Sequence, residues 1–387
     1  MRYSILLAVA APLAAVYAAP VRRQDRPNID VTILKFADVL EQLESEFYQK
    51  ALDKYQPSDF TSAGYAVPDL AIEQLKVIQQ DEATHSTVLQ AGLAAVGEQP
   101  ITSCKFNFES ALTDVATTMA VARVVEQVGV GAYLGAAPLV TDPVILQAAG
   151  SILPIESRHQ MMLNVFSGSG TAIPSAFDMP LSPSEVLSIA APFFDGPCDL
   201  GVPANPTLAI TNEGAVGPGN KLTFKSDAIN GTVSEDKLFC QMLVGGSPAS
   251  ITMPFNDCVV PDDINGPALI FITADSQPLL GNTLDRQTNN GKLVAGPALA
   301  FIDTQPQMLG QMVRPSGANS GSTSQTTQTI TPEQASKIIS GASSTTEGGA
   351  QPTGAPVNNG VNNGGKPNLA KGPSADGKID VLGWSGL

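Results

Sequence analysis

Histidine is scarce in this sequence, and the only two are His85 and His159. Basic residues are also few, because 21 Lys and Arg stand against 36 Asp and Glu and leave a net charge of −15. Binding to nucleic-acid phosphates or to anionic membrane surfaces depends on Lys and Arg, so this balance argues against both kinds of partner. By contrast, 30 Pro and 35 Gly indicate many loops or low-complexity segments.

Long apolar runs are almost absent as well. The one exception, Ile5 to Ala19, follows a basic residue near the start of the chain and ends in small residues. At about 15 residues it is short for a membrane span, which is the alternative interpretation. We therefore predict a secretory signal at 1–18, cleaved after Ala18, and a protein secreted to the extracellular space or the cell wall without a membrane span.

The four cysteines are an even number in a chain that we expect to be exported, which favours two disulfides over buried free thiols. Three pairings are possible. We favour Cys240–Cys258, which would close a short loop, and Cys104–Cys198, which would join distant segments. The sequence Asn230-Gly231-Thr232 predicts N-glycosylation at Asn230.

Helical periodicity dominates the segment after a short N-terminal stretch at 19–29. A four-helix bundle is expected over 30–199, because four long segments have apolar residues at helical spacing. A fifth, short helix is indicated by Ser182-Pro183-Ser184-Glu185, which resembles a capping box. The four long helices are predicted at 30–51, 68–96, 108–134 and 142–166.

The pattern changes after Cys198, where apolar residues recur at every second position. A small β-sandwich is therefore predicted over 200–313, so that the expected fold class is α+β. From 314 to 387 Ser, Thr, Gly, Asn and Gln dominate, a composition typical of a disordered tail. The predicted strands are 207–211, 221–225, 237–243, 268–273 and 298–302.

Both histidines follow a glutamate by three residues, as Glu82–His85 and Glu156–His159. Residues three apart share one face of a helix, so each pair can bind one metal ion. Both pairs also lie on the apolar stripe of their helices. Because a carboxylate buried among apolar side chains is costly unless it is compensated, the pattern predicts a bound cation.

The first and third helices have a matching relation of their own. Glu41 precedes Tyr48 by seven residues, and Glu126 precedes Tyr133 by seven. One Glu from each of two helices and Glu-x-x-His from each of the other two is the ligand set of di-iron and di-manganese bundles. We therefore predict two Fe or Mn ions per chain, with both tyrosines hydrogen-bonded to ligating carboxylates. Glu44 is a rival ligand or a supporting residue. The alternative is that these are ordinary exposed helical charges, with His85 and His159 as incidental core or surface residues.

The stretches Leu40–Tyr48 and Ser188–Phe194 resemble secreted fungal stress-response and sexual-development proteins, which are related to plant desiccation-related proteins within the ferritin-like superfamily. The resemblance covers roughly residues 30–200 and implies a ferritin-like bundle with a carboxylate-bridged di-metal site. The β segment and the tail are not features of iron-storing cages, so mineral storage is not expected. Six positions match the superfamily's ligand pattern one by one: Glu41, Glu82, His85, Glu126, Glu156 and His159.

Two functions remain in competition at this stage. The first is a secreted di-metal protein that reacts with dioxygen or peroxide, either to oxidise Fe(II) or to remove peroxide. The second is a non-catalytic stress or cell-surface protein whose bundle keeps a structural or vestigial metal site.

Overall fold

The computed structural model describes residues 29–286 and 292–315, together with the backbone of 372–373 and 380–381. The predicted signal at 1–18 and nearly all of the predicted tail lie outside the described residues. Within the described part of the chain, no helix is long and apolar enough to cross a membrane.

Four long helices form a bundle at the N-terminal end of the described chain, as the sequence predicted. They are α1 (Ile29–Lys54), α3 (Pro68–Ala95), α4 (Val115–Ala136) and α5 (Pro143–Phe166). Helix α1 packs along α3, and α4 packs along α5, while α1 also contacts α4 and α3 contacts α5. A short helix, α2 (Pro57–Ser62), lies in the connection between α1 and α3 and was not predicted.

Side-chain caps fix where the helices begin. Asp142 accepts a hydrogen bond from the backbone N–H of Val144, so α5 begins at Pro143 as expected. Asp114 caps α4 in the same way, so this helix begins at Val115 and not at Phe108. The prediction was wrong there because Phe108 is an apolar core residue in the turn before the helix.

Asp30 also differs from its expected role as the cap of α1. It lies inside the first turn of that helix. Its carboxylate accepts hydrogen bonds from the backbone N–H and hydroxyl of Thr141 and from the N–H of Asp142. The residue therefore ties the beginning of α1 to the beginning of α5.

The strand-rich part follows α6 (Pro183–Ala190), whose capping box between Ser182 and Glu185 is confirmed. The strands are β1 (Ala209–Ile210), β2 (Phe224–Lys225), β3 (Phe239–Val244), β4 (Ile251–Pro254), β5 (Gly266–Thr273) and β6 (Leu293–Ile302). An antiparallel sheet has the order β4-β3-β5-β6, and a two-stranded sheet pairs β1 with β2. The α+β class is therefore confirmed.

Strand lengths differ from the prediction in both directions. The segments predicted at 207–211 and 221–225 contain strands of only two residues, β4 was not predicted, and β6 begins before the predicted 298. Strand β5 is buried along its whole length because its two faces meet different layers. Leu269 and Phe271 join the core that includes the bundle, whereas Ile270 and Ile272 face the core beside the two-stranded sheet.

Two ion pairs join the strand-rich part to the helices. Arg123 of α4 donates two hydrogen bonds to Asp303, each 2.8 Å long. Glu185 of α6 accepts a 2.6 Å hydrogen bond from Arg286, and both side chains are buried. These contacts hold α6 and the sheet against the bundle, which sets the surroundings of the site below.

The structure forms both favoured disulfides, Cys104–Cys198 and Cys240–Cys258. Such bonds suggest an oxidising environment. After Val313, which ends the short helix α7 (Met308–Val313), the described residues include a further pair of two-residue strands, which belongs to a second unit of the chain. These are β7 (Gly372–Pro373) and β8 (Asp380–Val381), which pair in antiparallel fashion.

Candidate metal centre

Side chains from all four long helices meet at one place inside the bundle. Their ligand atoms form two groups, and within each group the atoms lie within 4.8 Å of one another. Glu82 and Glu156 belong to both groups, Glu41 and His85 complete the first, and Glu126 and His159 complete the second. This is the arrangement expected for two neighbouring cation positions that share two carboxylates.

The distances within each group match those between ligands of one ion. His85 Nδ1 lies 3.2 Å from Glu41 Oε2 and 3.3 Å from one oxygen of each shared glutamate. His159 Nδ1 lies 2.8 Å from Glu82 Oε1 and 3.3 Å from Glu126 Oε2. Ligand atoms that bind one ion at about 2.1 Å are themselves about 3 Å apart in octahedral geometry. The spacing therefore fits a shared coordination sphere.

Several of these atoms are buried without a hydrogen-bond partner among the described residues. Both carboxylate oxygens of Glu156 are in this state, and so are Glu82 Oε1, Glu126 Oε2 and His159 Nδ1. The last nitrogen lies close to Glu82 Oε1, yet the pair lacks hydrogen-bond geometry. An unpartnered buried polar atom costs about 1–3 kcal/mol, and a charged one costs more. The donor set therefore fits divalent cations, which would partner all of these atoms at once.

Comparison with known families agrees with this geometry. Residues 29–169 match the ferritin-like domain family. Residues 29–169 are a ferritin-like domain. All four long helices and all six predicted ligands of the ferritin-like domain lie within the matched range. A search of curated proteins finds no match to the chain.

When no cation is bound, the ligand side chains of the ferritin-like domain have strongly shifted pKa values. Burial raises the pKa of Glu41 to about 8 and also raises the pKa of Glu126 and of Glu156. Burial opposes protonation of the imidazoles, but the surrounding carboxylates raise the pKa of His85 to about 12 and that of His159 to about 11. Protons therefore take the place of cations in the metal-free protein, and cation binding must release them.

Glu82 behaves differently from the other carboxylates. Burial alone would raise its pKa, yet the imidazoles of His159 and His85 lower the pKa of Glu82 to about 2. It lies between the two histidines and stays ionised beside both. A shared carboxylate that is already ionised suits a position between two cations.

Two tyrosines donate hydrogen bonds to the two glutamates that belong to only one ligand group each. Tyr48 of α1 donates a 2.5 Å hydrogen bond to Glu126 Oε1 of α4. Tyr133 of α4 donates to Glu41 Oε1 of α1. Each tyrosine thus orients the glutamate of the opposite helix and not that of its own. The seven-residue spacing in both helices produces this reciprocal pair of contacts.

Asp81 is a residue of the site that the sequence reasoning missed. Its Oδ2 lies 3.1 Å from His159 Nε2, the nitrogen that faces away from the ligand group. A carboxylate in this position fixes the ring and makes the other nitrogen a better ligand. The corresponding residue of α5, immediately before Glu156, is Ile155. Within the described residues, His85 Nε2 has no hydrogen-bond or ion-pair partner.

Arg123 and Glu44, which the sequence places close to the predicted ligands, belong to neither ligand group. Arg123 pairs with Asp303 and with Asn164 Oδ1, so it does not neutralise Glu126. Glu44 is buried but belongs to neither ligand group. Asn230, the predicted glycosylation site, is exposed on a loop of the strand-rich part.

Proposed function

We propose that the ferritin-like domain binds two Fe or Mn ions per chain and uses them to oxidise Fe(II) or to consume peroxide. The observation that carries this proposal is the pair of buried four-residue groups that share Glu82 and Glu156. Oxygen-rich ligands with two imidazoles suit Fe and Mn, and four carboxylates match the charge of two divalent ions.

When bound, such ions supply one-electron redox chemistry and a place for dioxygen or peroxide to bind. The chain itself supplies position and protection. Glu82 and Glu156 would set the spacing of the two ions, while Tyr48 and Tyr133 keep Glu126 and Glu41 from rotating. Burial of all six ligands excludes bulk water from the reacting atoms.

The two disulfides support an extracellular address for this chemistry. We extend the proposal to a role in stress or development, on the resemblance of Leu40–Tyr48 and Ser188–Phe194 to the secreted fungal proteins. Glycosylation at Asn230 and association with the cell wall belong to the same proposal.

A non-catalytic secreted protein is the second candidate, and one observation favours it. All six ligands are at most 9% exposed, so the ions would be enclosed as they are in structural sites. In that case metal would stabilise the bundle by partnering the buried atoms of Glu156 and its neighbours, with no turnover.

Metal analysis of the full chain, followed by an assay of oxidant consumption, tests both candidates. Protein loaded with Fe(II) or Mn(II) should hold about two ions per chain. The His85→Ala, His159→Ala double variant should lose them, whereas the control Glu46→Gln, at a half-buried site on α1 whose carboxylate pairs with Lys50, should not. Equal metal content in all three proteins would overturn the metal site. Full metal content without consumption of dioxygen or peroxide would leave the non-catalytic candidate.

A further inference from the structure

Helix α4 has a glycine where α1 has an acid. Three residues after Glu41 stands Glu44, whereas three residues after Glu126 stands Gly129. A Cβ at position 129 would lie 2.5 Å from Glu156 Oε2 and 3.3 Å from Glu44 Oε1. Even an alanine would therefore displace a shared ligand. The missing side chain leaves space that both carboxylates border.

A cavity of about 20 Å³ opens at this point. Glu44 and Gly129 line it on the side of Glu156, and Val124, Val128, Ile189 and Phe193 are among its other walls. Glu44 is the one charged residue in this lining. A cavity needs roughly 10–15 Å³ to hold one water-sized molecule, so the space admits a molecule of about that size.

The carboxylate of Glu44 has no structural explanation among its neighbours. The residue is only 5% exposed, and in the described part of the chain it has no hydrogen-bond or ion-pair partner. Burying a polar group without a partner is costly, and an apolar side chain of similar size would avoid that cost. The position therefore calls for a ligand on the cavity side.

Two residues that line the cavity also line a cleft beside the strand-rich part of the protein. Val124 and Ile189 are half-buried and also line a cleft of about 490 Å³. Other walls of this cleft come from the segment around Leu208 and from Ala298 of β6. These two side chains are thus the wall that the surface cleft and the inner cavity share.

We infer that this cleft and cavity are the route by which a small neutral oxidant of two heavy atoms, dioxygen or hydrogen peroxide, reaches the metal centre, with Glu44 at its inner end. The inference rests on the function proposed above. Apolar walls disfavour a hydrated cation because its desolvation is costly, whereas they accept a neutral molecule. The route ends beside Glu156, which both cation positions share, and it gives the strand-rich part a role as the outer mouth.

The first test places a larger side chain at the wall that the cleft and the cavity share. Val124→Phe should lower the rate of oxidant consumption at limiting dioxygen or peroxide by on the order of tenfold, because the larger ring closes the passage. Its metal content should not change, since Val124 is not a ligand. The control Val144→Phe makes the same exchange at a 74% exposed position on α5 and should leave the rate unchanged. Equal rates in the two variants would overturn the route.

The second test needs neither metal nor turnover. Crystals of the metal-free wild-type protein under krypton pressure should show one krypton atom between Glu44 and Val128, because small apolar cavities bind noble gases. Absence of krypton there would overturn the route even if Val124→Phe fails to fold. If the loaded wild-type protein consumes no oxidant, the proposed function fails and the route fails with it. If the loaded wild-type protein does consume oxidant, but Val124→Phe does not slow it and no krypton binds at the cavity, the route alone fails.

Discussion

The half of the ferritin-like domain built from α1 and α3 and the half built from α4 and α5 supply the same ligand types at the same spacing. Each half has a glutamate seven residues before a tyrosine, followed on the next long helix by Glu-x-x-His. The surroundings differ, because Asp81 supports His159 while Ile155 stands at the equivalent position. Likewise Glu44 of one half faces Gly129 of the other.

This comparison separates what two cation positions require from what distinguishes them. The repeated residues place the ligands, and the departures from the repeat make the two positions chemically unequal. The position beside His159 has an oriented imidazole, whereas the position beside His85 has a ring whose outer nitrogen is unpartnered among the described residues. We therefore expect two binding steps of different affinity, with the His159 position filled first.

The largest effect should come from a ligand that both halves use. Glu156→Gln should weaken binding of both ions by more than about 100-fold, because this side chain belongs to both ligand groups. Glu41→Gln should weaken only the position beside His85 and leave one ion per chain. Calorimetric titration of each metal-free variant with Mn(II) measures the number of ions bound and their affinities. Loss of both ions in Glu41→Gln would show that the positions are not separable.

A smaller effect should follow when the support of one histidine is removed. Asp81→Asn should weaken the His159 position by about 10- to 100-fold and leave the other unchanged, so that the two affinities become similar. The matched control is Asp53→Asn, which removes an exposed carboxylate on α1. If the two metal affinities of Asp81→Asn differ as much as those of the wild-type protein, the role assigned to Asp81 is contradicted.

The ligands could be predicted from the sequence because local periodicity determines which face of a helix a residue occupies. Glu82, His85 and Leu89 share one buried stripe whatever else the helix contacts. The partner of Asp81 could not be predicted in this way, because it depends on how α3 crosses α5. The same holds for Arg123, whose partner Asp303 lies 180 residues away.

Contacts across the chain also explain the errors in the strand-rich part. The segment 207–211 alternates as a strand should, yet only Ala209–Ile210 forms a strand, because the ladder with Phe224–Lys225 is two residues long and continues only as a hydrogen bond from the N–H of Thr211 to the carbonyl of Thr223. Strand β4 was missed because its Ile251 is exposed and its alternation is weak. The α+β class survived these errors, since it depends on where the period changes and not on where each strand ends.

The smallest effect, and the finest test of the two halves, concerns the crossed tyrosines. Tyr48→Phe removes the hydrogen bond to Glu126, so it should weaken the His159 position, although Tyr48 lies on the helix that supplies Glu41. Tyr133→Phe should weaken the His85 position in the same way. Each loss should be about 10-fold, the lower end of the range for partners of metal ligands. The same stepwise Mn(II) titration checks both variants. If each variant instead weakens the position that its own helix supplies, the reciprocal contacts do not control the ligands, and the halves act independently.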